Sequence, residues 1–466
     1  MIAMTLGEIA DVVGGMVDGD RDLVVDGPAY VDSRKPVPGG LFVAVVGERV
    51  DGHDYVAGAH AVLGSRATGM PSVLVDDPVV ALGRLARHVV DRLDATVLAL
   101  TGSQGKTGTK DYLAQVLATA GPTVATAGNN NNEIGVPLTV LTADAETRYL
   151  VVEMGARGVG HIAYLCEIAP PQVGAVVNVG TAHIGEFGSR AAIAQAKGEI
   201  VEALPADGTA VLNAGDDLVA AMARRTDARV LTFGRDGDVS ARAVDLDDLG
   251  RPSFEIGRAG EWHPVTLRHT GLHQVENALA AAAMAAATGL SLAEIAAALS
   301  AAGGASPKRM EVHERADGLL VLNDSYNANP ASTTAAVEAL TLIGRRRGRR
   351  TVAVLGEMRE LGDTAHEGHA EVGRAAVALG VDVVVVVGEP AAGIADGVRS
   401  AAPGAGWHGE VIVTAGRDEA LVWVRENVAA GDVVLVKASN GVALWVIAEQ
   451  LLAPAHGDHL EGGATT

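Results

Sequence analysis

Residues 97–107 constrain the fold of this chain more than any other stretch. The apolar run Val97-Leu98-Ala99-Leu100 gives way to Thr-Gly-Ser-Gln-Gly-Lys-Thr at 101–107, and a helical pattern follows from Lys110. A buried strand, a glycine-rich turn and a helix N-terminus together make a phosphate cradle. Backbone N–H groups of the turn and the positive end of the helix dipole point at an anion. Lys106 adds a full charge, and the Thr107 hydroxyl can hold Mg²⁺. Gly102, Ser103, Gln104, Gly105 and Gly108 complete the loop. The strict P-loop pattern asks for glycine at position 100, where the chain has Leu100, so the match is partial. An ordinary glycine turn is the plainer alternative. The flanking strand and helix argue instead for a nucleoside triphosphate such as ATP.

With 466 residues, 48% of them apolar and 20% charged, the chain can bury large cores and is expected to form roughly three domains. Few aromatics and abundant alanine, valine and glycine suit close-packed α/β layers. A net charge of −21 argues against nucleic acid or an anionic membrane as partner. The single cysteine, Cys166, excludes an internal disulfide framework and reads as core, among Ile162, Leu165 and Ile168. The N-terminus has neither a basic nor a long apolar segment, so a cytoplasmic protein is expected. The alanine-rich stretch 277–302 is broken by Gly289 and Ser291 and reads as two packed helices, not a membrane span. The basic run 345–350 reads as a solvated loop.

The pattern resets twice, giving an α/β chain with three domains. Residues 1–94 form a small α/β unit. Residues 95–310 alternate buried parallel strands (96–101, 149–153, 173–179, 209–213) with helices, as in P-loop ATPases. Residues 311–466 carry Val/Leu runs separated by helices, which is a Rossmann-like doubly wound sheet, with a disordered tail expected from about 454. Several runs end in polar residues, among them Asp324, Asn327 and Lys437, and ligands collect beyond the carboxyl ends of such strands.

Further candidates stand near strand ends. Glu153 closes the run Tyr149–Val152 and is well placed for Mg²⁺, which wants hard oxygen ligands; a glutamate facing solvent is the alternative. His183 could ligate a second metal, although a lone loop histidine is more often structural. The run 128–135 packs Asn131 and Asn132 into a tight amide-rich loop, whose plainer reading is a polar turn. Lys197 shares a helical face with Ile193 and Ile200, where a snorkelling side chain is the default. The chain uses six lysines against thirty arginines, so each lysine marks a position where an amine is a candidate requirement.

Taken together these segments resemble the Mur ligase family. The residues are the loop at 101–107, Asn-Asn-Glu-Ile-Gly-Val-Pro at 131–137, Glu-Met-Gly-Ala at 153–156 and Gly-Thr-Ala-His-Ile-Gly-Glu-Phe-Gly-Ser at 180–189. With them go Ala-Lys-Gly-Glu-Ile at 196–200, Asn-Asp-Ser-Tyr-Asn-Ala-Asn-Pro at 323–330, Leu-Gly-Glu-Met-Arg-Glu-Leu-Gly at 355–362 and Val-Leu-Val-Lys-Ala-Ser at 434–439.

The resemblance implies an ATP-dependent amide ligase of peptidoglycan precursor synthesis. Its substrates would be the small molecules ATP, UDP-N-acetylmuramoyl-tripeptide and D-alanyl-D-alanine, handled by a monomer without membrane insertion. It puts Ser33 and Arg34 near the uracil, and Lys106 and Thr107 on the ATP phosphates and Mg²⁺. Glu153 and His183 fall on the two metals, and Lys197 on the second metal through a carbamate. Asn277 falls on the adenine, Arg309 and Asp324 near phosphate and ribose, and Asn327 and Asn329 in the adjoining loop. The C-terminal sheet with Lys437 would receive the dipeptide.

Four positions depart from the family pattern: Gln104, Gly108, Asn130, and Asn440, which stands where arginine is common. The alternatives are a sister ligase adding a diamino acid or glutamate, and a nucleotide-binding protein without turnover. The diamino-acid branch carries an Asp-Asn-Pro-Arg loop that is missing here.

Overall fold

Thr5 accepts the N–H of Glu8 while the Glu8 carboxylate takes the N–H of Thr5, and this reciprocal cap opens helix α1 (Leu6–Val13). A small sheet follows, from β1 (Met16–Asp18), β2 (Ala29–Tyr30), β3 (Leu41–Val43), β4 (Ala61–Gly64) and β5 (Ser72–Leu74), in the order β1-β5-β4-β3-β2. Helix α2 (Pro78–Val90), capped by Asp77, packs its apolar face on the same core as α1. The computed structural model describes residues 1–47, 49–180, 184–304 and 306–453. His183 and the tail at 454–466 therefore lie outside the described residues.

The chain forms two compact units. The first comprises Met1–Asp245, Pro252–Arg268 and His273–Ser306; the second comprises Leu246–Arg251, His269–Leu272 and Pro307 onward. Beyond α2 the first unit continues with β6 (Thr96–Thr101), α3 (Lys106–Ala118), β7 (Thr123–Ala125), α4 (Gly135–Val140), β8 (Tyr149–Glu153), α5 (His161–Ile168), β9 (Val173–Val176) and α6 (Arg190–Glu202). Then come β10 (Thr209–Asn213), β11 (Arg229–Phe233), β12 (Val239–Leu246), β13 (Pro252–Arg258), β14 (Glu261–Thr266), α7 (His273–Ala287) and α8 (Leu292–Ala301).

These nine strands make one sheet in the order β14-β13-β12-β11-β10-β9-β6-β8-β7, parallel through its centre and antiparallel at the β13–β14 end. Val97 and Ala99 pack on one side of β6 and Leu98 and Leu100 on the other. Burial of both faces explains the unbroken apolar run. From β6 the chain steps outward to β7, returns to β8 beside β6, and then crosses to β9 on the other side. The carboxyl end of β6 is thus a switch point, where parallel sheets bind ligands.

Helix α3 begins at Lys106, four residues before the pattern suggested. Gly108 and Thr109 are weak helix formers and hide its first turn from apolar periodicity. The strand expected over 173–179 ends at Val176. The alanine-rich stretch is two helices, as expected: Ser291 and Glu294 cap α8 reciprocally.

The second unit's sheet uses β15 (Glu311–Glu314), β16 (Leu320–Asn323), β17 (Thr351–Gly356), β18 (Val383–Val387), β19 (Glu410–Thr414) and β20 (Val433–Lys437), in the order β15-β16-β20-β17-β18-β19. Helices α9 (Pro330–Arg347), α10 (Ala365–Leu379), α11 (Ala392–Ala405), α12 (Arg417–Asn427) and α13 (Trp445–Leu452) connect or follow the strands. Leu320, Leu322, Ala353 and Leu355 serve one core; Val321, Val352, Val354 and Val434 serve the other. This is the doubly wound arrangement expected.

The basic run at 345–350 is not a solvated loop. Its first three arginines end α9. Arg347 pairs with Glu314 and Asp248 at 2.8 Å each, Arg349 donates to the Gly318 carbonyl at 2.7 Å, and Arg350 pairs with Asp432 at 2.7 Å. Arginines at a helix C-terminus meet the negative end of its dipole, and nearby acids take up the remaining charge.

Candidate active site

The turn after β6 is held from below. The Asn178 amide oxygen accepts the N–H groups of Ser103 (3.0 Å) and Gln104 (2.9 Å), its Nδ2 donates to the Gln104 carbonyl (3.2 Å), and the Ser103 hydroxyl accepts the Gly180 N–H at 2.9 Å. Gly105 then turns into α3 at φ +75°, and no side chain caps the helix. A β-carbon on Gly105 would lie 2.4 Å from Asn277 Oδ1, and one on Gly108 would lie 2.8 Å from Asn277 Nδ2. Glycine at both positions leaves room for the Asn277 amide to approach the turn this closely. Asn277, itself buried and bonded to Gln274 at 3.1 Å, is therefore packed directly on the glycine turn. The Lys106 ammonium lies back over the loop, 2.6 Å from the Gly102 carbonyl.

Thr107, in the first turn of α3, donates its hydroxyl proton to Glu153 Oε2 at 2.9 Å. Asn131 Nδ2 donates to the other carboxylate oxygen at 2.7 Å. Glu153 is 1% exposed, which excludes the solvent-facing alternative. The amide-rich loop is ordered by more than turn propensity. Asn132 Oδ1 caps α4 through the N–H groups of Ile134 and Gly135, and Gly155 N–H donates to the Asn131 carbonyl. Lys110 is buried with its ammonium on the Thr126 carbonyl at 2.8 Å, and the Thr126 hydroxyl accepts the Glu153 N–H at 3.0 Å. The pair Thr107–Glu153 offers a hydroxyl and a carboxylate, which are hard oxygen ligands suited to Mg²⁺. No cluster of three or more His, Cys, Asp or Glu side chains forms among the described residues. A cation here would complete its shell with phosphate oxygens and water, as Mg²⁺ does.

Lys197 does not snorkel. It is 3% exposed on α6, and no carboxylate of the described residues forms an ion pair with it. Burial first, and the charge of Lys106 second, hold its pKa well below the ordinary lysine value. Both effects shift the balance toward the neutral amine relative to an exposed lysine. Glu199, two residues on, reaches the N-terminus of α5 and accepts the N–H groups of Gly160 at 2.6 Å and Ala163 at 3.0 Å. Burial pushes the Cys166 thiol up to about 12, in keeping with a core cysteine.

The other expected site residues divide by place. Ser33 and Arg34 lie in the loop after β2, where the Arg34 guanidinium embraces the Asp32 carboxylate at 2.8 and 3.0 Å and holds its pKa down to about 2. In the second unit the Lys437 ammonium donates to Asp324 Oδ2 at 2.5 Å and to the Asn327 carbonyl at 2.8 Å. Asp324 also accepts the Met310 N–H at 3.1 Å, and the Arg309 guanidinium lies over the Tyr326 ring at 4.3 Å. Asn329 caps α9 in a box with Ser332.

The first unit thus brings Lys106, Thr107, Glu153, Asn131, Asn277 and Lys197 around one loop. The second brings Asp324, Asn327 and Lys437 together at adjacent strand ends. Sequence reasoning missed Asn178 and Glu199, and marked Lys110 only as one of the six lysines, without a role. An asparagine ending an apolar run, as in Val-Val-Asn-Val-Gly, was the available signal for Asn178.

Residues 100–285 match the Mur ligase middle domain, and residues 308–440 match the Mur ligase glutamate ligase domain. The UDP-N-acetylmuramoyl-tripeptide–D-alanyl-D-alanine ligase of Mycobacterium tuberculosis (strain H37Rv) is 44% identical across 97% of this chain and 98% of its own length. The enzyme of that name from Escherichia coli K12 is 38% identical across 88% and 90%. The crystal structure I of MurF from Acinetobacter baumannii superimposes with a TM-score of 0.85 at 31% identity, covering 97% of this chain and 99% of that one. MurF ligase from Thermotoga maritima in complex with ADP gives a TM-score of 0.76 at 30% identity, over 93% and 99%. Matching domains, full-length identity and shared fold agree: the chain belongs to the Mur ligase family.

Proposed function

We propose that this chain is an ATP-dependent ligase that joins D-alanyl-D-alanine to UDP-N-acetylmuramoyl-tripeptide in the synthesis of peptidoglycan precursors. The observation that carries the nucleotide half of this reading is the uncapped N-terminus of α3 on a glycine turn, with Thr107 tied to Glu153 beside it. The relatives named above support the choice of the two other substrates. Residues 1–94 would take the UDP end, with Ser33 and Arg34 near the base. Residues 95–310 would take ATP, and residues 311–466 the dipeptide.

A carboxylate is a poor acyl donor. In the first step a tripeptide carboxylate oxygen bonds to the γ-phosphorus of ATP as the bond to the ADP oxygen breaks. In the second the dipeptide amine forms the C–N bond, the C–O bond to phosphate breaks, and the amine loses a proton. Two anions must meet in the first step, so opposing charge and fixed N–H donors do most of the work. Lys106 supplies a cation at the loop, while Asn178 and Asn277 keep the turn in its binding shape. Thr107 and Glu153 would hold Mg²⁺, which when bound neutralises phosphate charge. His183 is assigned to a second metal on the family resemblance.

Lys197 has a distinct part in this reading. Its neutral amine can bond to the carbon of CO₂ and release a proton, which turns a buried base into an oxygen ligand. Arginine could not do this. Asn277 remains the proposed nucleotide contact of the first unit. Asn131, Asn132, Asn327 and Asn329 remain the proposed substrate side, and Lys437 serves it by holding the loop at Asp324 and Asn327.

Mass spectrometry of the reaction tests this reading. The expected product is the tripeptide precursor plus dipeptide less one water, formed with ATP and Mg²⁺. ATP consumption without that product would overturn it.

A further inference from the structure

Lys437 ends β20, but its ammonium is 2% exposed and committed to Asp324 and the Asn327 carbonyl. It has little left to offer a ligand. Arg359, in the loop after the neighbouring strand β17, is held differently. Its backbone N–H donates to the Ser439 hydroxyl at 3.0 Å, and the Ser439 N–H donates to the Glu357 carbonyl at 3.0 Å, so the loops after β17 and β20 are zipped together. Its Nε donates to Glu357 Oε2 at 2.8 Å.

The guanidinium is carried across onto the turn at Asn440 and Gly441. A β-carbon at Gly441 would lie 2.2 Å from Arg359 Nη1, so the glycine leaves room for the cation. The Arg359 side chain is 51% exposed, and its two Nη groups hydrogen-bond to no described residue. One edge of the guanidinium is therefore fixed by a carboxylate and the other is open. A planar fork with a free pair of parallel donors matches a second carboxylate in bidentate fashion. It sits at the carboxyl edge of a parallel sheet, on the turn where Asn440 itself brings no charge.

We propose that Arg359 binds the terminal carboxylate of the incoming amine substrate and thereby selects an acceptor with a free C-terminus. The inference rests on the ligase reading above. Glu357 serves as the anchor that aims the guanidinium, and Ser439 and Gly441 shape its seat.

The test compares D-alanyl-D-alanine with its C-terminal amide as acceptors for the wild type, Arg359→Ala and Arg359→Lys. The Ala variant should raise the KM for the free dipeptide about tenfold or more, with the KM values for ATP and the tripeptide precursor within twofold of wild type. The wild type's preference for acid over amide should vanish in the Ala variant and return in part with lysine. Equal losses on acid and amide, or an unchanged KM for the acid, would overturn the role of Arg359. Failure of the underlying ligase reading would appear instead in the wild type, as no product with the dipeptide, and would remove this proposal with it.

Discussion

The Thr107 hydroxyl donates to Glu153 Oε2 at 2.9 Å and so ties the first turn of the helix after the glycine loop to the end of the adjacent strand. Asn131 holds the other oxygen of the same carboxylate at 2.7 Å. Partners of this kind orient a metal ligand, and losing one commonly costs ten- to a hundredfold in affinity. Asn131→Ala should therefore raise the Mg²⁺ concentration for half-maximal activity by about tenfold, with little change in the KM for dipeptide. A metal titration that matches wild type would contradict this.

The Lys106 ammonium lies over the glycine loop on the Gly102 carbonyl, and the proposed reaction uses it as a cation for the phosphates. Removing one preorganised charge contact from a transition state costs about 10²–10³-fold. Lys106→Ala should lose at least that much turnover while its far-UV circular dichroism stays that of wild type. Retained turnover would refute the phosphate role.

Much of this was legible in the sequence because two faces of burial leave a simple mark. The runs at 96–101, 149–153, 209–213 and 433–437 are continuous apolar segments ending in polar residues, and each is a central strand. The start of α3 was not legible, since Gly108 and Thr109 break the periodicity where the loop needs close approach. Asn178 and Glu199 were missed because their work is done through backbone groups far along the chain, as in the bonds from Ser103 to Asn178 and from Gly160 to Glu199. Local pattern does not encode such pairings. The arginines at 345–350 misled for a related reason: their acidic partners lie at 248, 314 and 432.

Lys197 carries a stability cost that depends on pH. Burial lowers its folded pKa, so the unfolded chain binds the proton more tightly than the folded one. Stability then rises with pH between that lowered value and the ordinary 10.5, and the full cost is felt below the window. Lys197→Met should raise the thermal midpoint at pH 7 by about 2–4 °C while abolishing ligation. The gap should narrow as pH approaches 10. A midpoint lowered by the substitution at every pH would show that Lys197 is instead a structural asset.

Asp324, 14% exposed, pairs with the buried Lys437 at the edge of the second unit's sheet. Removing one partner leaves the other charge without compensation, at a cost of about 3–5 kcal/mol. Asp324→Asn should destabilise the second unit by that order, and adding Lys437→Met should recover most of the loss. Three of the four tryptophans, Trp407, Trp423 and Trp445, lie in this unit, so fluorescence during urea unfolding reports it. Additive losses in the double variant would contradict the pairing.

In the proposed reaction the loop at 102–107 energises a carboxylate for peptide-bond formation with a dipeptide. Phosphate release measured with each reactant omitted in turn is the decisive measurement. One phosphate per ligated product is expected, and none when ATP, Mg²⁺, UDP-N-acetylmuramoyl-tripeptide or D-alanyl-D-alanine is left out. Phosphate release that continues unchanged without the dipeptide would contradict it.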